Sequence, residues 1–186
     1  MRPSNRTAII EAAHRVAERL GGADFSYETT ASEAGLTKAG VLYHFPSRED
    51  LVLAVVEYVA RSWEAAMLEA LGRPLAEATP AQRIRAYVEV AAGDEVSRAD
   101  FAVYADALCR PEHVGPWNEV FSRWFDLDEC SPAERAQLMT ARFAADGLWV
   151  AKATGAMPPT ADDHDGLVAH LLSLTDEGTP RSETTP

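Results

Sequence analysis

The chain has few cysteines, almost no lysine and no long apolar run, and these shortages limit what it can be. Its two cysteines, Cys109 and Cys130, are far from any CxxC spacing, which is typical of reduced thiols in the cytoplasm. No stretch approaches the roughly 18 apolar residues of a membrane span, and the first residues lack the apolar segment of a signal peptide. We therefore expect a soluble cytoplasmic protein that has no membrane partner.

The motifs of common catalytic and cofactor sites are also missing. The sequence has no Ser/His/Asp or Cys/His constellation, no glycine loop that would cradle phosphate, and no HExxH-like motif. Cys109 and His113 are four residues apart, but Pro111 interrupts the helix between them. The acidic run at residues 162–165 fits a helix N-terminus, where the helix dipole favours carboxylates. We therefore expect no enzyme, no metal and no cofactor; the alternative is a small all-helical enzyme or a binding module that does not act on DNA.

Basic residues are scarce, and lysine occurs only as Lys38 and Lys152 beside fifteen arginines. The formal net charge is −12, which normally disfavours nucleic acid as a partner. The first fifty residues carry six basic and seven acidic residues, however, whereas the remaining chain carries eleven and twenty-two. Because most of the excess of acidic over basic residues lies in the later part, the first fifty residues can still approach a phosphate backbone.

Apolar residues recur at helical spacing along nearly the whole chain, and the alternating β-branched runs that indicate strands are missing. The first such helix runs from about Ser4 to Leu20. Further helices are predicted over Gly115 to Phe125 and after the hydroxyl caps Ser26, Thr37, Ser47, Thr79, Ser97, Ser131 and Thr160. We therefore predict an all-α fold of about nine helices: a three-helix N-terminal domain over 1–48, a larger helical domain over 49–175 and a disordered tail over 176–186.

The most informative pattern is a helix-turn-helix that turns at Gly35. Its second helix, Lys38 to about His44, would enter a DNA groove. The Thr37 hydroxyl can cap this helix or reach a phosphate, and the lysine that follows suits a phosphate or a guanine edge. Ala39 and Gly40 have little or no side chain, so the helix can sit deep in the groove.

The residues that follow complete this predicted surface. Tyr43 and His44 can hydrogen-bond phosphate oxygens. Ser47 begins another helix, and its N-terminus, together with the Arg48 guanidinium, can bind a flanking phosphate. The apolar residues of the stretch are expected to anchor the groove-entering helix to its neighbours; they are Val41, Leu42 and Phe45.

The run Thr-Lys-x-Gly-x-Leu-Tyr-His-Phe-Pro-Ser-Arg-Glu-x-Leu, which begins at Thr37, resembles the DNA-binding segment of the TetR family of transcriptional regulators. The upstream layout agrees, and the resemblance covers about residues 5–55. It implies an all-helical homodimer that binds a double-stranded DNA operator through its N-terminal helices and a small-molecule effector in its larger domain. The implied DNA contacts are Thr37, Lys38, Ala39, Gly40, Tyr43, His44 and Arg48, to which we add the caps Ser26 and Ser47. Leu42 stands where many members have tyrosine, so we expect few phosphate contacts and a strong dependence on the dimer.

Aromatic residues in the larger domain exceed what a small helical core needs. The candidates for ligand binding are Trp63, Met67, Tyr87, Phe101, Tyr104, Trp117, Phe121, Phe143 and Asp146. Core packing is the alternative for each of them. Aromatic-lined cavities suit planar or hydrophobic ligands, and an acid facing such a cavity would favour a cation. With these aromatic residues, the resemblance to the TetR family implies a ligand-responsive repressor that leaves a palindromic operator when it binds a small hydrophobic or aromatic effector.

The last two helices are apolar around more than one face. A four-helix bundle between two subunits fits this pattern, and burial within one subunit is the alternative. The candidate residues for the dimer interface are Ala141, Ala145, Leu148, Leu167, Val168 and Leu171.

Overall fold

The computed structural model describes residues 4–20, 25–93 and 97–176. The regular secondary structure of these residues is entirely helical, which confirms the predicted all-α fold of about nine helices. The helices are α1 (Asn5–Leu20), α2 (Tyr27–Ala34), α3 (Lys38–His44), α4 (Arg48–Leu71), α5 (Pro80–Ala92), α6 (Arg98–Leu108), α7 (Gly115–Trp124), α8 (Pro132–Thr154) and α9 (Ala161–Ser173), with a single 3-10 turn at Leu75–Glu77. Residues 177–186 of the predicted tail lie outside the described part of the chain.

Hydroxyl caps begin seven of these helices, as predicted. In each case the side-chain oxygen accepts a hydrogen bond from the backbone N–H three residues further on, which satisfies a donor that the helix itself leaves unpaired. The seven caps are Ser26, Thr37, Ser47, Thr79, Ser97, Ser131 and Thr160. Local chemistry therefore determines where most of the chain turns into helix.

The long helix α4 connects the two ends of the molecule. Its 24 residues span about 36 Å at 1.5 Å per residue. It packs against α1 on the N-terminal side and against α5, α6 and α7 on the other, and its buried stripe includes Leu51, Val55, Val59 and Trp63. One continuous core runs from α1 to α9, and the division at residue 48 remains a prediction.

The last two helices close the larger domain. α8 packs against α5, α6 and α9, and α9 packs against α5. No helix in the described ranges is long and apolar enough to cross a membrane.

Candidate DNA-binding surface and effector site

Two capped helices and one left-handed glycine fix the helix-turn-helix. The Ser26 hydroxyl accepts from the Thr29 N–H at 3.1 Å at the start of α2. Gly35 ends this helix with a φ of 65°, a left-handed conformation that residues with a side chain rarely adopt. Its N–H donates to the Ala31 carbonyl. The Thr37 hydroxyl then accepts from the Gly40 N–H at 3.1 Å at the start of α3. A capping hydroxyl that accepts still has a proton with which it can donate to phosphate.

Buried contacts hold α3 against the rest of the molecule. Val41 and Phe45 are buried, as predicted. The Tyr27 hydroxyl donates to the Phe45 carbonyl at 2.9 Å, and the Arg6 guanidinium lies 5.0 Å from the centre of the Phe45 ring. Leu42 does not act as an anchor and is 37% exposed, because the next residue of a helix points about 100° away from Val41.

The opposite side of α3 is open to solvent. Lys38, Ala39 and Tyr43 are exposed, and Tyr43 reaches 83%. The Tyr43 ring packs edge-to-face on His44, with 5.2 Å between ring centres. Arg48 is also exposed, at the start of α4. The predicted contact residues of this segment thus lie where a partner can reach them.

Ser47 caps α4 beside this surface. Its hydroxyl accepts from the Asp50 N–H at 3.0 Å, and the Asp50 carboxylate accepts from the Ser47 N–H at 3.0 Å. This reciprocal pair fixes the start of the helix, so that the N-terminus of α4 has a defined position next to α3.

The fold itself does not require a glycine at position 40. A Cβ added to Gly40 would lie 3.4 Å from Thr37 Oγ1 and 3.9 Å from Leu36 Cβ, which are ordinary contact distances. The backbone torsions of Gly40 are helical, and a glycine weakens a helix by roughly 0.5–1 kcal/mol relative to alanine. The absence of a side chain therefore has no internal explanation and is consistent with close approach to an external partner.

An acidic residue that the sequence analysis did not select also lies on this surface. Glu28, in the first turn of α2, accepts a hydrogen bond from the Lys38 ammonium at 2.6 Å. This bond and the nearby positive charge hold the pKa of Glu28 below its usual value. No sequence rule finds such a pair, because the two residues lie ten positions apart on opposite sides of a turn.

Six of the seven aromatic residues predicted to bind a ligand meet in one cluster, together with Trp149 and Phe125. Its members come from α4 to α8 and are Trp63, Tyr87, Phe101, Tyr104, Trp117, Phe121 and Trp149, with Phe125 at one edge. The ring centres of Trp63 and Trp149 are 4.4 Å apart, and those of Tyr104 and Trp117 are 5.0 Å apart. We call these eight residues the aromatic cluster.

Asp146 provides the acid of this cluster. The Tyr87 hydroxyl donates to its Oδ1 atom, and the Arg142 Nε atom lies 3.6 Å from its Oδ2 atom. Burial raises the pKa of Asp146 above its usual value, although the hydrogen bond from Tyr87 and the charge of Arg142 act in the opposite direction. Burial, followed by the charge of Asp146, also raises the pKa of Tyr104.

Two tryptophans of the cluster have unused donors. The Nε1 atoms of Trp117 and Trp149 are buried and have no hydrogen-bond acceptor among the described residues. A buried donor without an acceptor costs free energy, so a ligand with an acceptor atom would gain from meeting one. The cluster offers ring faces, two indole donors and a carboxylate. Together these groups can bind a molecule that has an apolar body and polar atoms.

The rings pack directly on one another in this structure. The cavities beside the described helices include a groove of about 370 Å³ between α4 and α7 that is lined in part by Glu57, Glu64 and Glu119, and a cavity of about 610 Å³ beside Leu148 and His164. A ligand that enters between rings in contact would move them apart.

Two of the predicted ligand residues lie outside the ring contacts. Phe143 is 53% exposed on the outer face of α8, where its ring meets the Arg142 guanidinium at 4.6 Å. Its role in a pocket remains a prediction, since the ring makes none of the contacts of the aromatic cluster in this structure. Met67 is fully buried one helical turn beyond Trp63, as part of the core.

Half of the predicted dimer residues are buried within the single chain. Ala141, Ala145 and Leu171 face the core of the protomer, so they are not available to a partner. Leu148 and Val168 are half-buried, and Leu167 is exposed. The exposed apolar residues of α8 are instead Met139, Phe143 and Val150. Gly147 on α8 and Gly166 on α9 have open space in front of them.

A polar contact joins the N-terminal helices to α6. The His14 Nε2 atom lies 2.8 Å from Asp100 Oδ1, and the Glu18 carboxylate accepts from the Ala99 N–H at 2.9 Å, at the N-terminus of α6. This contact has no signal in the sequence, because more than eighty residues separate its two sides. α6 also carries Phe101 of the aromatic cluster, so it connects this cluster to α1, which packs against α2.

The described residues contain no group of three or more His, Cys, Asp or Glu side chains that could hold a metal ion. Cys109 is exposed and Cys130 is buried, and neither forms a disulfide. Among the described residues, the solvent-open side of α3 and the aromatic cluster are therefore the main candidate sites.

Two family models match most of the chain. The model of bacterial regulatory proteins of the tetR family matches residues 9–55. The model of the tetracyclin repressor-like C-terminal domain matches residues 81–176, which is more than half of the chain. The two matches correspond to the helix-turn-helix segment and to the helices from α5 onward.

Curated relatives and solved structures agree with these matches. The HTH-type transcriptional regulator BetI of Brucella canis is 27% identical over 98% of this chain and 97% of its own length. The multidrug binding protein EbrR complexed with malachite green is 25% identical, with a TM-score of 0.62 over 92% of this chain and 98% of that one. A putative transcriptional regulator from Saccharomonospora viridis in complex with choline shares the fold, with a TM-score of 0.69 at 20% identity over 93% of this chain and 96% of that one. These similarities favour a regulator over a small helical enzyme.

Proposed function

Because this chain belongs to the TetR family of transcriptional regulators, we propose that it is a cytoplasmic repressor that binds its operator as a homodimer and leaves it when an organic cation binds. The observation that carries the DNA-binding part is the solvent-open side of α3. There Lys38 and the exposed Tyr43 lie beside the N-terminus of α4, and Gly40 has no role within the fold that requires a glycine. A helix of this kind fits the major groove.

The DNA contacts follow from the chemistry of the exposed groups. Lys38, in the first turn of α3, reaches a guanine edge or a phosphate. The Tyr43 hydroxyl, the Arg48 guanidinium and the N-terminus of α4 bind phosphates on either side of the groove. The hydroxyls of Ser26 and Thr37 add weaker donors. Since each subunit offers few cations, two subunits must bind together for adequate affinity.

The dimer forms through the outer faces of α8 and α9. Met139, Phe143 and Val150 form an apolar stripe on α8, and Leu167 is exposed on α9. Gly147 and Gly166 allow helices from a second subunit to approach closely, because nothing lies within 4 Å of either position. Large exposed apolar side chains at this density favour a protein partner over solvent. Such a dimer places two copies of α3 in successive major grooves, with half-sites about one helical turn apart.

The effector site is the aromatic cluster with Asp146. Each ring face attracts a cation by about 0.5–2 kcal/mol. Asp146 supplies the negative charge, which is paired with Arg142 at 3.6 Å in this structure. A cation that enters the cluster displaces Arg142 and favours the ionised form of Asp146. The structure of EbrR with malachite green, an aromatic cation, supports this class of ligand.

The signal passes from the cluster to the DNA-binding helices through α6 and α4. Rings that move apart shift Phe101 and Tyr104 on α6, and the N-terminus of α6 is bound to α1 through Glu18 and His14. Trp63 moves with α4 in the same way, since α4 begins beside α3. The effector acts by population shift, so it must bind more tightly to the form that does not fit the operator.

A salt-titrated gel-shift assay tests the DNA-binding part. The purified protein is mixed with the DNA upstream of its own gene and with an unrelated fragment of equal length. We expect a specific complex that weakens steeply as salt rises. No specific complex at any salt concentration would contradict the proposal.

Displacement of the protein from this DNA tests the effector part. Tetraalkylammonium ions, choline and malachite green are compared with neutral tert-butyl isosteres of the same shape. We expect only the cations to release the operator, and we expect Asp146→Asn to lose this response while it keeps operator binding. Equal release by the neutral isosteres would contradict the choice of a cation.

A further inference from the structure

We infer that Glu28 limits binding to DNA of unrelated sequence by holding Lys38 in an ion pair that only the operator breaks. The inference rests on the proposed role of α3 in DNA binding and assigns a specificity-determining role to an acidic residue of α2. Glu28 is a positioning residue in this scheme, since it acts through the lysine.

The ion pair lies in the open on the DNA-facing surface. The Lys38 ammonium donates to the Glu28 carboxylate at 2.6 Å, and the two side chains are 55% and 63% exposed. The lysine lowers the pKa of Glu28, so the carboxylate stays charged at physiological pH. An exposed pair of this kind is weak, so a well-placed acceptor on DNA can replace Glu28.

Other cations of the N-terminal helices are already engaged within the fold. Arg15 and Arg19 both bind the Glu33 carboxylate, at 2.9 and 2.7 Å. Arg6 lies over the ring of Phe45. These contacts connect α1 to α2 and to the end of α3, so their charges serve the fold.

Among the described residues of this region, two basic side chains therefore remain to face DNA. Arg48 is exposed and has no ion pair among the described residues of the chain, whereas Lys38 is held by Glu28. The state of Lys38 thus decides how many phosphates each subunit can neutralise. The number of neutralised phosphates sets the affinity for unrelated DNA and its dependence on salt.

The operator and unrelated DNA differ in what they offer to Lys38. On the operator, base-edge contacts along α3 fix the helix in register, and a guanine edge receives the ammonium. On unrelated DNA no such contact holds the helix deep in the groove, so the ammonium stays with Glu28. Loss of the Glu28 charge frees this ammonium for phosphate, so it should strengthen unrelated complexes much more than the operator complex.

The variant Glu28→Gln tests this inference, since it keeps the size of the side chain and removes its charge. Fluorescence anisotropy measures binding of the full-length protein to operator DNA and to an unrelated duplex across a salt series. On unrelated DNA we expect an affinity increase of about tenfold near 0.1 M salt and a salt dependence that is steeper by about 0.9 for each subunit engaged. On the operator we expect a change of less than about threefold, as for other exposed ion pairs.

Two further variants separate the possible causes. Glu77→Gln removes the same charge from an exposed residue of the 3-10 turn in the larger domain, and we expect no change in DNA binding. In a Lys38→Ala background, Glu28→Gln should no longer strengthen binding to unrelated DNA. Thermal melting of each variant verifies that the fold is retained.

Three results would overturn the inference. The first is equal binding of unrelated DNA by the wild type and Glu28→Gln. The second is weaker operator binding by Glu28→Gln, which would mean that the carboxylate reads a cytosine amino group. The third is a full effect in the Lys38→Ala background, which would mean direct repulsion. Failure of the wild type to bind any operator would instead contradict the proposed function itself.

Discussion

Gly40 offers a substitution that separates DNA binding from stability. In Gly40→Ala, the new methyl group would lie 3.4 Å from Thr37 Oγ1 and 3.9 Å from Leu36 Cβ, so it meets no clash within the chain. Alanine also favours the helix over glycine by roughly 0.5–1 kcal/mol. The variant should therefore be at least as stable as the wild type in urea denaturation.

The same methyl group should weaken operator binding. It lies in the first turn of α3, next to Lys38, on the helix that is proposed to enter the groove. Contact between the methyl group and DNA would shift the helix outward and misalign neighbouring base contacts. Loss of one good base contact costs about 1–3 kcal/mol, which corresponds to roughly 5- to 150-fold weaker binding.

A matched substitution controls for the chemical change. Gly115 begins α7, and a Cβ there would meet nothing within 4 Å, so Gly115→Ala should alter neither operator affinity nor stability greatly. Anisotropy with operator DNA and urea denaturation are measured for both variants. If Gly40→Ala binds the operator as tightly as the wild type, or if it is markedly less stable, the proposed close approach of α3 is refuted.

Three further predictions concern the larger domain and its connections. Because burial raises the pKa of Asp146, the native state keeps this proton to higher pH than the unfolded state, so the contribution of Asp146 to stability should fall as pH rises above about 4. Urea denaturation between pH 4 and 7 should show that the wild type loses stability relative to Asp146→Asn as pH rises, and an identical profile would refute the shift. Phe143→Glu should be monomeric in sedimentation equilibrium and should lose operator affinity. The control Leu108→Glu, at an exposed site on α6, should remain dimeric. A dimeric Phe143→Glu would exclude the proposed interface. Glu18→Ala removes the acceptor of the Ala99 N–H. The variant should still bind operator and effector in separate titrations, but it should lose part of the coupling free energy between them, which is typically about 1–3 kcal/mol. Unchanged release by effector would show that the signal does not pass through α1 and α6.

Local chemistry explains why the helix starts could be predicted. A serine or threonine that precedes an apolar helical pattern satisfies a backbone donor only two or three residues away, so the signal is contained in a few neighbouring positions. Ser47 and Asp50, for example, form the reciprocal pair that their spacing indicates. The helix α3 can be predicted on the same basis, because its cap, lysine and small residues are consecutive.

Contacts between distant residues could not be predicted in this way. The Glu28–Lys38 pair crosses a turn, and the contact of His14 with Asp100 joins residues that are 86 positions apart. Their formation depends on how whole helices pack, which no local pattern encodes.

The two faces of α8 illustrate another limit. Ala141, Ala145 and Trp149 repeat every four residues and face the core, whereas Met139, Phe143 and Val150 lie on the outer face. Periodicity identifies the core face of a helix only when the other face is polar. Because α8 is apolar on both sides, the sequence could not assign Phe143 to the outer face or Ala141 to the interior.

The most direct measurement for the central claim is a hydroxyl-radical footprint on the DNA upstream of the gene of this protein, made with the wild type and with a double variant, Lys38→Ala with Tyr43→Phe. The account predicts that the wild type protects two half-sites about one helical turn apart, and that the double variant loses this protection while it keeps the thermal stability of the wild type. The same footprint from both proteins would contradict the assignment of α3 as the helix that reads DNA.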